Sequence, residues 1–458
     1  MDSASLPPGL PWHPLRQTVA WIRRPQDTLD LCLAEYGDAF SLRMFGSEFT
    51  LFSSPALIKE LLGQPAGVLA AGKANAILAP LVGNASLLVL DGDEHLAMRR
   101  LQLPPLHGAR MRAYEATMRQ IAEEAIAKWP LEGTVEALPR MQAITLDIIV
   151  RVVFGIDDEQ RRSGVRKAVR ALLDAGSSRW LTLSVGVRSV VTGRPPQEHT
   201  GPLRKVLHAR DDLGELLEAE IRARRAAADE GDRGDVLSML LEARDEDGRP
   251  LDAALIRDQL ITLLVAGHET TATSLSWAVE RIARHPELQE RLAAEALDAR
   301  FALIDATIKE TLRARPVLPV FMREVVEPVE IGGYRFSPGM LVGGATMALH
   351  RRPDLYPDPD AFRPERFLSD DAPGTYEWTP FGGGVRRCIG ASFALVEMRI
   401  VLAALLAERR LEPVRDAAEH QRRRSLVITP SEAGAVRAPR RRMVRSATPD
   451  PQPQSEVR

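Results

Sequence analysis

One cysteine in the C-terminal part of the chain lies in a loop whose composition suits a metal-binding sulfur. The segment Phe381-Gly-Gly-Gly-Val-Arg-Arg-Cys388-Ile-Gly390 precedes an apolar run with a helical pattern that begins at Ala391. Glycines let a backbone approach a flat ligand closely, and arginines together with a helix start favour a thiolate. A small buried cysteine in a glycine turn would have a similar composition. A phosphate loop and a dinucleotide loop are excluded, because no Gly-Lys-Ser/Thr follows and Arg387 stands where the second pattern requires glycine.

A second group of small and polar residues interrupts a long apolar helical pattern. The run Ala266-Gly-His-Glu-Thr270 lies inside a helix predicted over Ala253 to Arg284. A mid-helix threonine hydroxyl bonds to a carbonyl one turn earlier, which loosens the ladder beside Gly267 and leaves room for water or dioxygen. A tolerated glycine beside a self-satisfied threonine would have the same sequence. A zinc-protease helix is excluded, since position 272 is alanine where His-Glu-x-x-His requires histidine.

The two motifs resemble those of the cytochrome P450 family. Five residues match in register its haem-binding signature F-x-x-G-x-R-x-C-x-G, namely Phe381, Gly384, Arg386, Cys388 and Gly390. The run Ala266-Gly267-x-Glu269-Thr270-Thr271 is similar to its oxygen-activation motif. The resemblance implies haem b (iron protoporphyrin IX) with Cys388 as axial iron ligand. It also implies Thr270 as a proton-relay hydroxyl and Glu269 as its acidic partner.

The resemblance implies further residues around the cofactor. Haem carries two propionates, which need cationic or hydrogen-bonding partners when they are partly buried. The candidates by motif position are His95, Arg99, Arg323 and Arg386. Any one of these arginines taken alone would be as ordinary on a solvated face. The other residues implied to contact haem are Phe381, Gly384, Gly390 and Ala266.

Three charged residues resemble a supporting ion network of the family. Glu310 and Arg313 are three residues apart on a predicted helix, and Arg366 lies in a Pro-Glu-Arg-Phe segment. Exposed pairs of this spacing stabilise a protein by less than about 1 kcal/mol, so the spacing alone carries little weight. The resemblance to the E-x-x-R and P-E-R-F elements implies a buried network that holds the cysteine loop and is structural rather than catalytic.

The fold class follows from periodicity and from the resemblance. Helical patterns cover Ala109 to Trp129, Leu138 to Phe154, Val206 to Ala228, Ala253 to Arg284, Phe301 to Arg313 and Ala391 to Glu408. Short strand patterns occur at Ala39 to Met44 and Phe49 to Phe52, which predict a small hairpin around Gly46, and at Ser425 to Pro430, and a second hairpin is predicted around Gly332 and Gly333. The sequence therefore predicts a mainly α fold with small β-sheets. The resemblance implies one triangular-prism-like domain with haem between the distal and proximal helices.

Composition bounds the setting of the protein. The 458 residues carry a formal net charge of −2, which indicates no nucleic-acid partner. No apolar run approaches the roughly 20 residues of a membrane span, and the first residues lack a signal-peptide layout, so we expect a cytoplasmic monomer. Cys32 lies on an apolar helix face and is predicted to be core. We expect one catalytic domain over residues 1–436, followed by a basic, disordered tail over residues 437–458.

The resemblance implies a monooxygenase that inserts one atom of O2 into a small molecule. The chain has two cysteines, too few for an iron–sulfur cluster, and no flavin-type domain, so electrons must come from a ferredoxin or flavodoxin with its NAD(P)H-dependent reductase. A basic face of arginines is the predicted docking surface: Arg99, Arg100, Arg110, Arg112, Arg386 and Arg387. The alternatives are a hydrogen-peroxide-using peroxygenase, a non-enzymatic haem sensor and a haem-free helical binding protein.

The predicted substrate pocket is apolar, which favours a terpenoid, steroid, fatty acid or polyketide and a role in secondary metabolism. Its predicted lining includes Leu263, Ala266, residues 71–88, Val317 to Phe321 with Val320, and Leu426 to Ile428. An apolar core would have the same composition. One departure from the family is a short connection between Pro286 and Lys309, which we expect the fold to tolerate.

Overall fold

The computed structural model of the protein describes residues 6–65, 67–156, 158–177, 202–226, 234–245, 247–424 and 426–441. Within these ranges the chain is predominantly helical and carries four small sheets. The predicted fold class, mainly α with small β-sheets, is therefore confirmed. None of the helices in the described ranges has the length and apolarity to span a membrane.

The α-helices of the described ranges are α1 (Pro14–Arg23), α2 (Pro25–Tyr36), α3 (Pro55–Leu62), α4 (Ala71–Ala74), α5 (Ala79–Val82), α6 (Gly92–Gln102), α7 (Ala109–Ala127), α8 (Ala137–Ile148), α9 (Glu159–Gly176), α10 (Pro202–Ala226), α11 (Val236–Glu242), α12 (Ala253–Ala283), α13 (Pro286–Leu297), α14 (Ala302–Ala314), α15 (Thr346–Leu349) and α16 (Ala391–Glu408). Each predicted helix is present, and the ends within the described residues differ by a few positions, while Ala228, the predicted end of the helix from Val206, lies outside them. The largest difference concerns the helix predicted to reach Phe154. It becomes α8 followed by a π-helical turn over Ile149–Val153.

The strands are β1 (Ala39–Met44), β2 (Ser47–Phe52), β3 (Leu69–Ala70), β4 (Val135–Glu136), β5 (Phe321–Val325), β6 (Val329–Ile331), β7 (Tyr334–Phe336), β8 (Leu341–Gly344), β9 (Glu412–Pro413), β10 (Gln421–Arg424), β11 (Val427–Pro430) and β12 (Ala435–Arg437). The five-stranded sheet has the order β1-β2-β8-β5-β3. The predicted strand from Ser425 is observed as β11, which pairs with β10, while Ser425 itself lies outside the described residues.

Both predicted hairpins form around residues with positive φ. Phe45 and Gly46, at φ +51° and +78°, connect β1 to β2, and Gly332 and Gly333, at φ +61° and +77°, connect β6 to β7. Two consecutive residues with positive φ give the turn whose twist matches a two-residue hairpin. Glycine is therefore required by the backbone at three of these four positions, and Phe45 adopts the strained conformation.

The long helix α12 passes through the main core. Its C-terminal half, from Thr271 to Ala283, is buried on every side, which explains why its residues are apolar or small apart from the paired Glu280 and Arg281. Helices α7, α8, α14 and α16 contribute to the same cluster of buried side chains. A second cluster lies under the N-terminal sheet and contains Cys32, which is fully buried and whose thiol pKa is raised to about 12 by that burial. Cys32 is a core residue, as predicted.

The C-terminal segment is packed further than its composition predicted. Arg437 ends β12, Ala438 is 2% exposed, and Arg441 bonds to Glu290 of α13. Residues 437–441 therefore belong to the folded body, beyond the domain end expected at residue 436. Residues 442–458 lie outside the described ranges. The short connection after Pro286 is filled by α13 and α14 with four residues between them.

Candidate active site

The loop that carries Cys388 is shaped by backbone contacts. The amide N–H of Cys388 donates to the carbonyl oxygen of Phe381 over 2.9 Å. Gly384 has φ +61°, and a Cβ atom there would lie 3.0 Å from the carbonyl oxygen of Leu62. Both the conformation and the available space therefore require glycine at this position. Helix α16 begins immediately after Gly390, so the thiol lies at the N-terminal end of this helix.

The Cys388 side chain lines an internal recess. It has solvent-accessible surface, yet the surrounding protein raises the pKa of its thiol through burial. Both observations hold if the sulfur faces a space enclosed by protein rather than the outer surface. The N–H of Gly390 and the charges of Arg99 and Arg387 lower this pKa, as the sequence predicted. Burial outweighs them, so the net shift of the thiol pKa is upward, and a bound metal cation would favour the thiolate.

Four basic side chains and one carboxylate gather near the recess. Burial and the charges of Arg386 and Arg99 lower the pKa of His95 to about 4, so this imidazole is neutral. Burial and Arg386 lower the pKa of Arg323 to about 10. Arg386 donates to Asp91, whereas neither Arg99 nor Arg323 has an ion pair within the described residues. Three guanidinium charges against one carboxylate leave two positive charges in this cluster.

The motif Ala266 to Thr271 lies on α12, and its residues have different neighbours. The hydroxyl of Thr270 donates to the carbonyl oxygen of Ala266 over 2.6 Å, as predicted for a threonine in mid-helix. A Cβ atom on Gly267 would lie 2.9 Å from Cδ1 of Ile149, in the π-helical turn. Gly267 therefore permits close helix packing. The room for water or dioxygen expected beside the Thr270–Ala266 bond stays a prediction.

Helix α8 holds the two residues between Gly267 and Thr270. Gln142 Nε2 donates to Glu269 Oε2 over 2.7 Å, and the hydroxyl of Thr145 lies 2.8 Å from Nδ1 of His268. Burial raises the pKa of Glu269, while Arg424 and the Gln142 bond lower it. Burial also lowers the pKa of His268 to about 3, so this ring is neutral. The structure thus places the carboxyl of Glu269 against α8 rather than beside the Thr270 hydroxyl.

The three residues of the predicted ion network meet in the core. Arg313 donates to Glu310 through Nε at 2.7 Å and Nη2 at 2.8 Å, and both side chains are fully buried. Arg366 Nε lies 3.6 Å from Glu310 Oε1, an ion-pair distance rather than a hydrogen bond. Arg313 also donates to the carbonyl oxygens of His350 and Pro359. The network therefore ties α14 to the irregular segment that precedes the cysteine loop.

The four predicted pocket residues lie on three separate segments of the chain. Leu263 lies on α12, one turn before Ala266, and is half-buried. Val317 is buried, and its carbonyl oxygen accepts the N–H of Ile428 over 2.9 Å, which brings it close to Leu426. Leu426 is exposed. Val320 is half-buried and packs against the second core cluster. The chain from Pro316 to Met322 is apolar throughout, so the sequence could not show which of these side chains face inward.

Comparison with known proteins places the chain in a family. The cytochrome P450 family profile matches residues 7–436. The chain belongs to the cytochrome P450 family. It is 39% identical, over 95% of its length and 92% of the relative's, to a Mycobacterium tuberculosis (strain ATCC 25618 / H37Rv) protein provisionally named cytochrome P450 135B1. It is 36% identical, over the same shares of both chains, to one provisionally named cytochrome P450 137 from the same strain.

A solved structure shows the same fold. The cyanobacterial CYP120A1, solved with retinoic acid bound, superposes with a TM-score of 0.82 at 25% identity, and the match covers 96% of this chain and 100% of that one. The family is that of haem-containing monooxygenases that use O2 and a redox partner. The resemblance drawn from the two motifs is therefore confirmed.

Haem fits this P450's site on three observations. The recess at Cys388 provides a sulfur ligand, and the two uncompensated positive charges of the arginine cluster match the two propionates of haem. Gly382, in the loop before Cys388, has φ +62°, and a Cβ atom there would meet no atom within 4 Å, so the space beside the loop at this position is open. Cys388 would hold the iron, while His95, Arg99, Arg323 and Arg386 would face the propionates.

Two residues of this P450 site were not predicted. Asp91 bonds to Arg386 and accepts the N–H groups of Gly72 and Lys73 at 2.8 and 2.9 Å. Gln142 bonds to Glu269 across two helices. Asp91 had one available signal, its position immediately before α6, where an acidic residue favours a helix start. Gln142 had none, because its partner is 127 residues away.

Proposed function

We propose that the protein is a haem b monooxygenase that inserts one atom of O2 into an apolar small molecule, using electrons from a separate ferredoxin or flavodoxin. The observation that carries the proposal is the pairing of the recessed Cys388 with the arginine cluster and the Thr270 helix in one fold. Haem b is favoured because a chain with two distant cysteines lacks the Cys-x-x-Cys-His attachment sequence of c-type haem. When bound, haem with a thiolate ligand supplies oxygen activation.

The residues of the chain would serve this chemistry in distinct ways. Cys388, at the start of α16, supplies the sulfur donor, and the N–H of Gly390 hydrogen-bonds to that sulfur. Thr270 holds a proton on Oγ1 at the distal helix, where it donates to Ala266 at rest. Glu269, with its pKa raised by burial, keeps its proton to higher pH than an exposed carboxylate does. Thr270 and Glu269 together would move protons toward the face of α12 that would meet the bound haem.

The substrate class follows from the residues on that side. Leu263, Ala266, Val317 and Leu426 offer apolar surface, and none of them is charged. We propose a terpenoid, steroid, fatty acid or polyketide as substrate. The retinoic acid bound by CYP120A1, an apolar isoprenoid chain with one carboxylate, is compatible with this class.

The redox partner would bind at the arginines around the cysteine loop. Arg100, Arg112 and Arg387 are exposed, and none has an ion pair within the described residues. His107 Nδ1, in the connection between α6 and α7, lies 3.3 Å from the hydroxyl of Ser392 on α16, so these elements meet at one face. A surface of unpaired cations attracts an acidic protein and speeds its association at low salt.

The docking proposal is tested by reversing the three exposed charges. The Arg100→Glu, Arg112→Glu, Arg387→Glu variant is expected to be reduced by acidic ferredoxins about tenfold more slowly at low salt, with the difference shrinking as salt rises. An Arg335→Glu variant, which reverses an exposed charge in β7 outside the six predicted docking arginines, serves as the control. Equal reduction rates for the triple variant and the control would exclude this surface.

The central experiment is the absorption spectrum of the dithionite-reduced protein with and without carbon monoxide, beside a Cys388→Ser variant. The red-shifted Soret band of thiolate-ligated haem is expected in the wild type and absent from the variant. Product formation with a reductase system, compared with hydrogen peroxide alone, then separates a monooxygenase from a peroxygenase. A colourless protein, or a spectrum that is the same in both proteins, would contradict the proposed function.

A further inference from the structure

A set of buried polar side chains joins the loop before α6 to the distal helix α12. We name it the loop clasp, and its members are Ser86 of the loop, Gln102 of α6, and Asp258, Gln259 and Thr262 of α12. None of the five is more than 5% exposed. Leaving a polar group this deep without a partner costs about 1–3 kcal/mol, and among the side-chain atoms of these five residues only Gln102 Oε1 has none within the described part of the chain. Their partners show which segments the clasp connects.

Gln259 is the centre of the loop clasp. Its Oε1 accepts the N–H of Leu87 at 3.1 Å and the side-chain amide of Gln102 at 2.8 Å. Its Nε2 donates to the carbonyl oxygen of Ala85. One fully buried amide therefore binds the loop through two backbone groups and binds α6 through a third contact.

Two neighbouring contacts hold the same stretch of loop. The hydroxyls of Thr262 and Ser86 lie 2.6 Å apart, and the N–H of Ala85 donates to Asp258 Oδ2 at 3.3 Å. Gly83 has φ +88°, and a Cβ atom there would overlap the Asp258 carboxylate. The loop thus lies directly on α12. Hydrogen bonds fix its position more closely than apolar contacts would, because they require defined distances and angles.

The loop residues that follow Ser86 bind Arg386 of the arginine cluster. Arg386 Nη1 donates to the carbonyl oxygen of Leu87 at 3.2 Å, and Nη2 donates to the carbonyl oxygen of Leu90 and to Asp91. The N–H of Leu87 therefore donates to Gln259, and its carbonyl oxygen accepts from Arg386. A single residue connects the distal helix to the cysteine loop.

The other arm of the clasp leads to the same cluster. Gln102, bonded to Gln259, is the last residue of α6. That helix also carries His95 and Arg99, at positions seven and three residues before Gln102. Gln259 of α12 is thus hydrogen-bonded to the loop that holds Arg386 and to α6, which carries His95 and Arg99.

We propose that Gln259 is a positioning residue that keeps the loop over residues 85–91 and α6 in register, so that Arg386, His95 and Arg99 together meet the carboxylates of the bound haem. The inference rests on the proposed haem function. It assigns to α12 a second role besides its proton-relay motif, because the N-terminal half of this helix would then help to retain the cofactor.

The test compares haem release from two variants that each lose one buried glutamine. Gln259→Leu removes the centre of the clasp. Gln289→Leu is the matched control, because Gln289 on α13 is 1% exposed and exchanges two hydrogen bonds with the backbone of Leu411, away from the arginine cluster. The rate of haem transfer to excess apomyoglobin, followed at the Soret band, is the readout, and urea unfolding of each holoprotein gives its stability.

Gln259→Leu is expected to release haem about tenfold faster than wild type, as for the loss of one or two buried hydrogen bonds, while Gln289→Leu loses stability but releases haem at the wild-type rate. The proposal is overturned if Gln259→Leu releases haem at the wild-type rate, or if both variants release it equally fast.

Milder variants cover the case in which Gln259→Leu does not fold. Ser86→Ala and Gln102→Leu each remove one arm of the clasp and keep Gln259. Each is expected to speed haem release severalfold, and wild-type rates for both would overturn the proposal. Because haem release needs no turnover, a protein that holds haem but oxygenates nothing would contradict the proposed function and still test the clasp.

Discussion

At the scale of single residues, the adjacent Glu269 and Thr270 face different neighbours. Successive side chains on an α-helix point about 100° apart, so two consecutive polar groups cannot share one partner. Thr270 bonds within α12, whereas Glu269 bonds to Gln142 of α8. The position of the acid is therefore set by a neighbouring helix. Arg424 of β10 and Asp174 of α9, which pair with each other at 3.3 Å, also act on its pKa.

Removing the Gln142 side chain tests this positioning. The Gln142 bond lowers the pKa of Glu269, so Gln142→Leu should raise that pKa further above its ordinary value. The protonated acid then persists to higher pH, and the descending limb of the pH–rate profile moves to higher pH. We also expect product per electron pair to fall by roughly two- to tenfold, as for one lost hydrogen bond.

Thr145→Val is the control for this prediction. Thr145 lies on the same helix as Gln142 and contacts the neutral His268. Its removal should leave the pH profile unchanged, even though Arg170 and Arg424 also act on His268. An unshifted profile in Gln142→Leu, or an equal shift in Thr145→Val, would show that the Gln142 bond does not set the proton affinity of Glu269.

At the scale of elements, the Glu310 network joins a regular helix to a segment that has almost no regular structure. Arg313 of α14 satisfies the carbonyl oxygens of His350 and Pro359, and Glu310 Oε1 accepts the N–H of Arg363 at 2.8 Å. An irregular segment cannot satisfy its own backbone groups, so a helix supplies the missing partners. This is why the charged pair is buried rather than solvated.

Breaking that pair should destabilise the protein strongly. Glu310→Ala leaves the fully buried Arg313 without its carboxylate, and we expect the free energy of unfolding to fall by about 3–5 kcal/mol. The control is Glu330→Ala, which breaks the exposed Glu330–Arg335 pair of the β6–β7 hairpin and should cost less than about 1 kcal/mol. Urea denaturation of both variants measures the difference. Equal losses would mean that burial of the network adds nothing to its strength.

At the scale of the whole molecule, the segment after β12 and the end of α16 meet at the C-terminal end of α7. Arg409, which follows α16 and is fully buried, donates to the carbonyl oxygens of Ile126 and Trp129 at the end of α7 and to that of Ala438. A cation at a helix C-terminus satisfies carbonyl groups that have no partner within the helix. The segment around Ala438 is thus part of the cap on α7, although the two are far apart in sequence.

Two truncations test where the folded body ends. A chain that ends at Arg441 keeps every contact described above. The composition of residues 442–458 predicts that they add no core, so the truncated chain should be as stable as the full chain. A chain that ends at Gly434 loses β12, the buried Val436 and Ala438, and the Arg441–Glu290 pair. We expect it to lose about 3–5 kcal/mol of unfolding free energy. Circular dichroism during denaturation measures both, and equal stabilities would place the boundary before β12.

The sequence by itself determined the helical fold class, the cysteine loop and the residues of the distal motif. These features rest on local spacing: a 3.6-residue period, two positive-φ turns, and a signature contained within about ten residues around Cys388. The same locality explains why Cys32 was predicted as core, since one apolar helix face suffices to show it.

Only the tertiary structure decided which of these residues meet. The Gln142–Glu269 and Leu87–Gln259 bonds join residues 127 and 172 positions apart, and no periodicity relates such partners. The same holds for Val320, whose apolar side chain suits either a pocket or a core, and for Gly267, whose missing Cβ accommodates Ile149. Side-chain direction and partner identity depend on how whole elements pack, because many different packings satisfy the same local pattern.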